Sequence, residues 1–144
     1  FFAKLHPLLV HFPVGLLISG TLLEIYGKIQ NDETALAAGK FNTRLGFWCA
    51  LAAVIVGTLG LLELDVKQKS PLGRHILFAL TTVSCLAVAF AANRFWKHRG
   101  GAAIYHALLL AILLAILGTG YYGGTLVHQF GIATLHAGEK NTSK

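Results

Sequence analysis

Four apolar blocks, each close to the length of about 20 residues that a bilayer's hydrocarbon core demands, set the terms on which this 144-residue chain can fold. They cover 7–29, 45–64, 72–96 and 102–127, with short charged stretches between them. A secretory signal followed by a soluble domain would leave one short apolar stretch at the start, whereas here the last block ends at Val127. Composition agrees: 55% of residues are hydrophobic and 12% charged, against about 25% charged in soluble domains. The reading is one all-α domain over 1–144, an integral membrane up-and-down four-helix bundle whose short connections make consecutive helices antiparallel neighbours. The chain begins at Phe1 and contains no methionine, so Phe1 is not read as an initiator and the exact ends carry no argument.

Within the first block, Pro7 suits the opening turn of a helix, where its missing N–H has no partner to lose. Pro13 lies further in and predicts a kink, or a junction between an interfacial turn and the span proper. The stretch 27–44, with Asp32 and Glu33, reads as a polar loop. The second block carries Gly46, Ala50, Ala53, Gly57 and Gly60 on one helical face. Small residues so spaced let membrane helices approach closely, so this is a helix-contact face. Trp48, Trp96, Tyr26, Tyr105, Tyr121 and Tyr122 lie towards block ends, as interfacial aromatic belts do. Cys49 and Cys85 sit inside apolar blocks and read as inert buried thiols.

The net charge of +6 points to anionic lipid headgroups and not to nucleic acid, because the basic residues flank membrane segments. They divide evenly between the two faces, so a count gives no orientation. The cluster Arg94, Lys97 and Arg99 has no acid near it and is placed in the cytoplasm, which leaves both termini on the periplasmic side. Glu24 is the one acid within a span, and snorkelling or pairing with Lys28 one turn on accounts for it.

Histidine is costly in hydrocarbon and counts there as a functional candidate. His6 and His11 open the first helix, His75 opens the third and His128 closes the fourth, so antiparallel threading gathers all four at one membrane face, with His136 following. Pro7 precedes His11 by four residues and Pro71 precedes His75 by four. Equal spacing places these two imidazoles at equal depth on helices that are diagonal in the bundle, across a gap of roughly 11–14 Å. Such a gap could hold a porphyrin edge-on. The other end of the fourth helix offers His106, with only the loop residue His98 as a partner, for a second site.

Absences narrow the metal. Without Cys-x-x-Cys-His there is no covalent haem attachment, and without methionine no Met axial ligand. Copper(I) handling recruits thioether or paired thiolate ligands that this chain lacks. Non-covalent haem b, one or two per chain, is the surviving first choice. Its axial ligands would be His11 and His75, with His6 and His128 as an outer tier or second pair. Zinc remains an alternative, although no His-Glu-x-x-His helix is present. Nothing points to hydrolysis: there is no Gly-x-Ser-x-Gly and no phosphate-binding glycine loop.

The string His-Pro-Leu-Leu-Val-His-Phe-Pro over His6 to Pro13 resembles the hallmark of the bacterial membrane family called domain of unknown function 2231. Gly-Tyr-Tyr-Gly-Gly-Thr-Leu-Val-His, Gly120 to His128, is similar to that family's ending, and a histidine opening the third helix, here His75, also fits. The resemblance carries His6, His11, His75 and His128 over as motif positions; His98, His106 and His136 have no match. One departure is Phe130 before Gly131, where many members have Tyr-x-His-Gly. The resemblance implies kinship with two-haem membrane cytochromes and c-type cytochrome partners outside the membrane. The functional expectation is a haem b electron-transfer subunit of the bacterial inner membrane, between the quinone pool and an extracytoplasmic cytochrome, and not a stand-alone enzyme. The alternatives are a cofactor-free assembly subunit of a larger membrane complex and a zinc site.

Overall fold

A computed structural model of the chain describes residues 1–64, 70–95 and 99–129. His98 and His136, with Trp96 and Lys97, lie outside the described residues. Five helices follow one another: α1 (Phe2–Leu9), α2 (His11–Gln30), α3 (Glu33–Leu64), α4 (Ser70–Phe95) and α5 (Arg99–His128). Four stretches are long and apolar enough to cross a membrane, Lys4–Gln30, Glu33–Leu62, Pro71–Phe95 and Gly101–His128. The first combines α1 and α2, which part at Val10. Pro13 has no N–H to give the carbonyl four residues back, at Leu9, so the ladder is interrupted there. This is the junction that the proline predicts.

The stretch 27–44 is not a loop. α2 ends at Asn31, the one non-glycine residue with positive φ among those described (54°), and the N–H groups of Asn31 and Asp32 both donate to the Gly27 carbonyl. Asp32 then caps α3, its Oδ1 accepting from the N–H of Thr34 at 2.9 Å and of Ala35 at 3.1 Å. Charged residues made the first three turns of α3 look like a connection. At 1.5 Å per residue its 32 residues extend to about 48 Å, against about 30 Å of hydrocarbon, so one end stands in the headgroup layer, where Glu33, Lys40 and Arg44 are at ease. Asp32→Ala is expected to cost about 0.5–2 kcal/mol, read as a lowered thermal midpoint in detergent.

The small-residue face of α3 therefore begins earlier than the apolar block does. Ala35, Gly39 and Thr43 are buried and continue the row Gly46, Ala50, Ala53 and Gly60. Backbones meet along it: a Cβ at Gly39 would lie 2.7 Å from the Glu24 nitrogen and 2.9 Å from the Gly20 carbonyl oxygen, and one at Gly46 would lie 2.8 Å from Leu17. α2 with α3, and α4 with α5, form two closely packed antiparallel pairs, with α1 lying on α3. The pairs meet along a thinner seam, α2 against α5 and α3 against α4, so α2 and α4 occupy one diagonal. Leu17, Leu86, Ala89, Tyr105, Leu109, Ile112 and Ile116 fill the centre. Outward, Phe12, Ile55, Leu77, Leu114 and Leu117 are exposed, a distribution suited to lipid and costly in water.

Candidate functional site

The inward face of the first span is set by helical phase. Pro13, Leu17, Gly20, Glu24 and Gly27 are buried, and His6 lies seven residues before Pro13, two turns back on the same side. His11 is five residues from His6, about 140° further round. It is exposed, and its Nδ1 bonds the Pro7 carbonyl of its own helix at 2.6 Å. The structure thus brings His6, not His11, to His75. Their ring centroids lie 6.1 Å apart with planes at 88°, and both line a cavity between the helix pairs. The matched Pro-to-His spacing sets depth alone; which way a side chain faces depends on phase.

The two imidazoles are held in the same way. His6 Nδ1 lies 3.0 Å from the Ala53 carbonyl oxygen and His75 Nδ1 lies 3.0 Å from that of Thr119. A carbonyl can only accept, so each Nδ1 carries the proton, and in the neutral ring each Nε2 keeps its lone pair. Four residues beyond each carbonyl stands a glycine that meets the imidazole at close range. A Cβ at Gly57 would lie 2.8 Å from His6 Cε1, and one at Gly123 3.1 Å from His75 Cε1. The two helix pairs thereby repeat one device, a histidine on the leading helix seated on a small-x-x-x-Gly step of the returning helix. Ala53 and Gly57 are conspicuous in the sequence as part of the small-residue row. Gly123 reads there only as the end of a helix.

The other described histidines are apart from this pair. His128, the last residue of α5, is exposed and does not line the cavity. His106 donates back to the Ala102 carbonyl at 2.7 Å and packs edge-on against Tyr105. Among the described residues no group of three or more His, Cys, Asp and Glu is placed to hold a metal ion. The donor set is therefore two imidazoles in surroundings of Val10, Val14, Leu17, Val54 and Ile116.

By its chemistry alone, a set of two imidazoles would suit a haem iron better than a bare ion. Structural zinc takes four protein ligands and catalytic zinc three, and a divalent cation held by two neutral rings in an apolar site would keep its charge uncompensated. A porphyrin brings four equatorial nitrogens and two negative charges of its own. His6 and His75, with ring centroids 6.1 Å apart, would be the residues to hold such an iron. Volume sets a condition: the cavity measures about 70 Å³, space for an ion and a water or two at about 30 Å³ each. A macrocycle requires the helix pairs to part along the seam, their least extensive contact.

The far half of the bundle holds a second polar cluster that sequence reasoning missed. Glu24 is 1% exposed, and in place of snorkelling or pairing with Lys28 its Oε1 accepts from the hydroxyls of Thr43 and Tyr105, each at 2.9 Å. Its Oε2 is buried with no partner among the described residues. Tyr105, read from sequence as an interfacial aromatic, is a core residue. The signal was present: Glu24 falls on the inward face shared by Leu17 and Gly27, and a long side chain that faces inward cannot snorkel. Tyr105→Phe leaves the carboxyl with one bond fewer, at an expected cost of about 1–3 kcal/mol. An unchanged thermal midpoint in detergent would show that the bond contributes nothing to stability.

Two antiparallel helix pairs of bilayer-spanning length, with an apolar centre and two facing histidines towards one end, define an α-helical integral membrane protein. The sequence profile of the family described as "Predicted membrane protein (DUF2231)" matches residues 3–136, and the chain belongs to that family. No curated protein and no solved structure matches it.

Proposed function

We propose that the chain is a haem b subunit of a membrane electron-transfer assembly, with iron held between His6 and His75. The observation that carries this reading is the matched anchoring of two imidazoles whose centroids stand 6.1 Å apart, each with Nδ1 tied to a backbone carbonyl. Such a tie fixes the tautomer and raises the basicity of the ligating nitrogen. Haem iron there would accept and return one electron. The chain's own part is to orient the two rings, to exclude water with the apolar lining, and to keep charge away: Glu24 lies 18 residues from His6, about 27 Å along the helix.

The histidines lie at the end of the bundle opposite Lys40, Arg44 and Arg94. If those cations face the cytoplasm of a bacterial inner membrane, as basic clusters do, the haem lies on the periplasmic side with the chain's N-terminus. There an extracytoplasmic c-type cytochrome could exchange electrons with it, with quinone in the bilayer as the other partner. The test is an absorption spectrum of protein purified after haem-replete expression, oxidised and reduced. A Soret band with reduced α and β bands is the expected result. Apoprotein alone, with no pyridine haemochrome, sinks the proposal.

A further inference from the structure

At the end of the bundle away from the histidines, the seam between the helix pairs widens into a cleft of about 360 Å³. This is within the range of about 300–1,000 Å³ typical of sites for organic ligands. Three cations line it, Lys40 and Arg44 from α3 and Arg94 from α4, and so do four aromatic side chains, Phe47, Trp48, Phe90 and, at its floor, Tyr105. None of its lining residues is acidic. Three like charges around one cleft repel one another and attract an anion.

The order of these residues along the helices identifies the anion. On α3 the cations at 40 and 44 precede the aromatics at 47 and 48, and on α4, which runs the opposite way, Phe90 precedes Arg94. On both walls the cations lie towards the membrane surface and the aromatics one turn deeper. Phe47 and Phe90 meet edge to face at 5.4 Å and join the walls, and Trp48 packs against Phe47 at 5.4 Å. Polarity therefore falls with depth as it does along a lipid molecule. A small inorganic anion would use only the outer half of such a cleft.

We propose that this cleft is a binding site for one acidic phospholipid, with its phosphate held among Lys40, Arg44 and Arg94 and the first part of an acyl chain on Phe47, Trp48 and Phe90. Each cation near a membrane surface is worth about a factor of five in binding an anionic lipid. The site is independent of whether haem is bound at the histidines.

Trp48 reports on it directly. The chain has two tryptophans, so a Trp96→Phe variant leaves Trp48 as the sole tryptophan, excited selectively at wavelengths where tyrosine does not absorb. In this background, in a zwitterionic detergent, the protein is titrated with short-chain phosphatidylglycerol, with the matching phosphatidylcholine and with inorganic phosphate. The expected result is a saturable change in Trp48 emission with phosphatidylglycerol, and at most a weak one with the other two. Arg44→Gln and Arg94→Gln should each weaken binding about fivefold, with the helical circular dichroism unchanged. Native mass spectrometry should show one phosphatidylglycerol retained by the parent and lost from the double variant. Equal responses to phosphatidylglycerol and phosphatidylcholine would overturn the proposal, as would full affinity in folded double variants. A response to inorganic phosphate as strong as that to the lipid would reduce the site to a simple anion site.

Discussion

His6→Ala and His75→Ala are each expected to yield a folded membrane protein that has lost its haem signal, while His11→Ala keeps it. The contrast is sharp because all three histidines share one end of the bundle and two of them share a sequence motif. His6 and His75 line one cavity, and removing either leaves a single imidazole where the proposed haem would take two. His11 is exposed and bonded within its own helix, so truncating it touches neither ring. Gly57→Ala probes the same site without touching a ligand: its Cβ would lie 2.8 Å from His6 Cε1 and must turn the ring. Disturbing the groups that orient a metal ligand typically costs 10–100-fold in affinity, and haem titration of the variants measures it. If His11→Ala loses haem and His6→Ala retains it, the pairing is the one that Pro-to-His spacing indicates.

Gly39→Val is expected to damage the fold severely. A Cβ at Gly39 would stand 2.7 Å from the Glu24 nitrogen and 2.9 Å from the Gly20 carbonyl oxygen. Backbone has no rotamer to move, so α2 and α3 must separate, and the bonds that Thr43 gives Glu24 part with them. Overpacking in a core costs about 1–3 kcal/mol when side chains can adjust, and this change should reach or exceed the top of that range. Unfolding in mixed detergent micelles against increasing dodecyl sulfate would read it as a shifted midpoint. Gly15→Ala is the control, since nothing lies within 4 Å of a Cβ there. Alanine at that exposed helical position should be neutral or slightly stabilising. Similar losses in both variants would mean that close approach of the helices is not what holds the pair.

These two results bear on different layers of information. The four spans were legible because a bilayer imposes its thickness on every segment that crosses it, and a run of apolar residues records that length directly. The break at Val10 was legible from Pro13, whose missing N–H acts locally. The contact face of α3 was legible from Gly46 to Gly60, because small residues at alternating steps of three and four mark close approach. Its first three turns were not, because the headgroup layer tolerates charge on a helix and composition alone then resembles a loop.

The histidine pairing and the Glu24 cluster lay at the limit. Helical phase alone places His6, Pro13, Leu17 and Glu24 on one face, which turns His11 outward and Glu24 inward. A count of residues after a proline carries depth without direction. Which carbonyl each imidazole bonds, and that Tyr105 reaches Glu24 across 81 positions of sequence, depend on how two helix pairs dock. That choice is made by packing between residues far apart in the chain.

By itself the sequence determined that this chain crosses a membrane four times and brings histidines to one face, because both follow from length, periodicity and threading. Only the tertiary structure decided that His6 meets His75, that Gly57 and Gly123 seat the two rings, and that a basic, aromatic cleft opens at the other end. Those are contacts between helices, and a helix's own residues specify the face it offers but not the partner that will cover it.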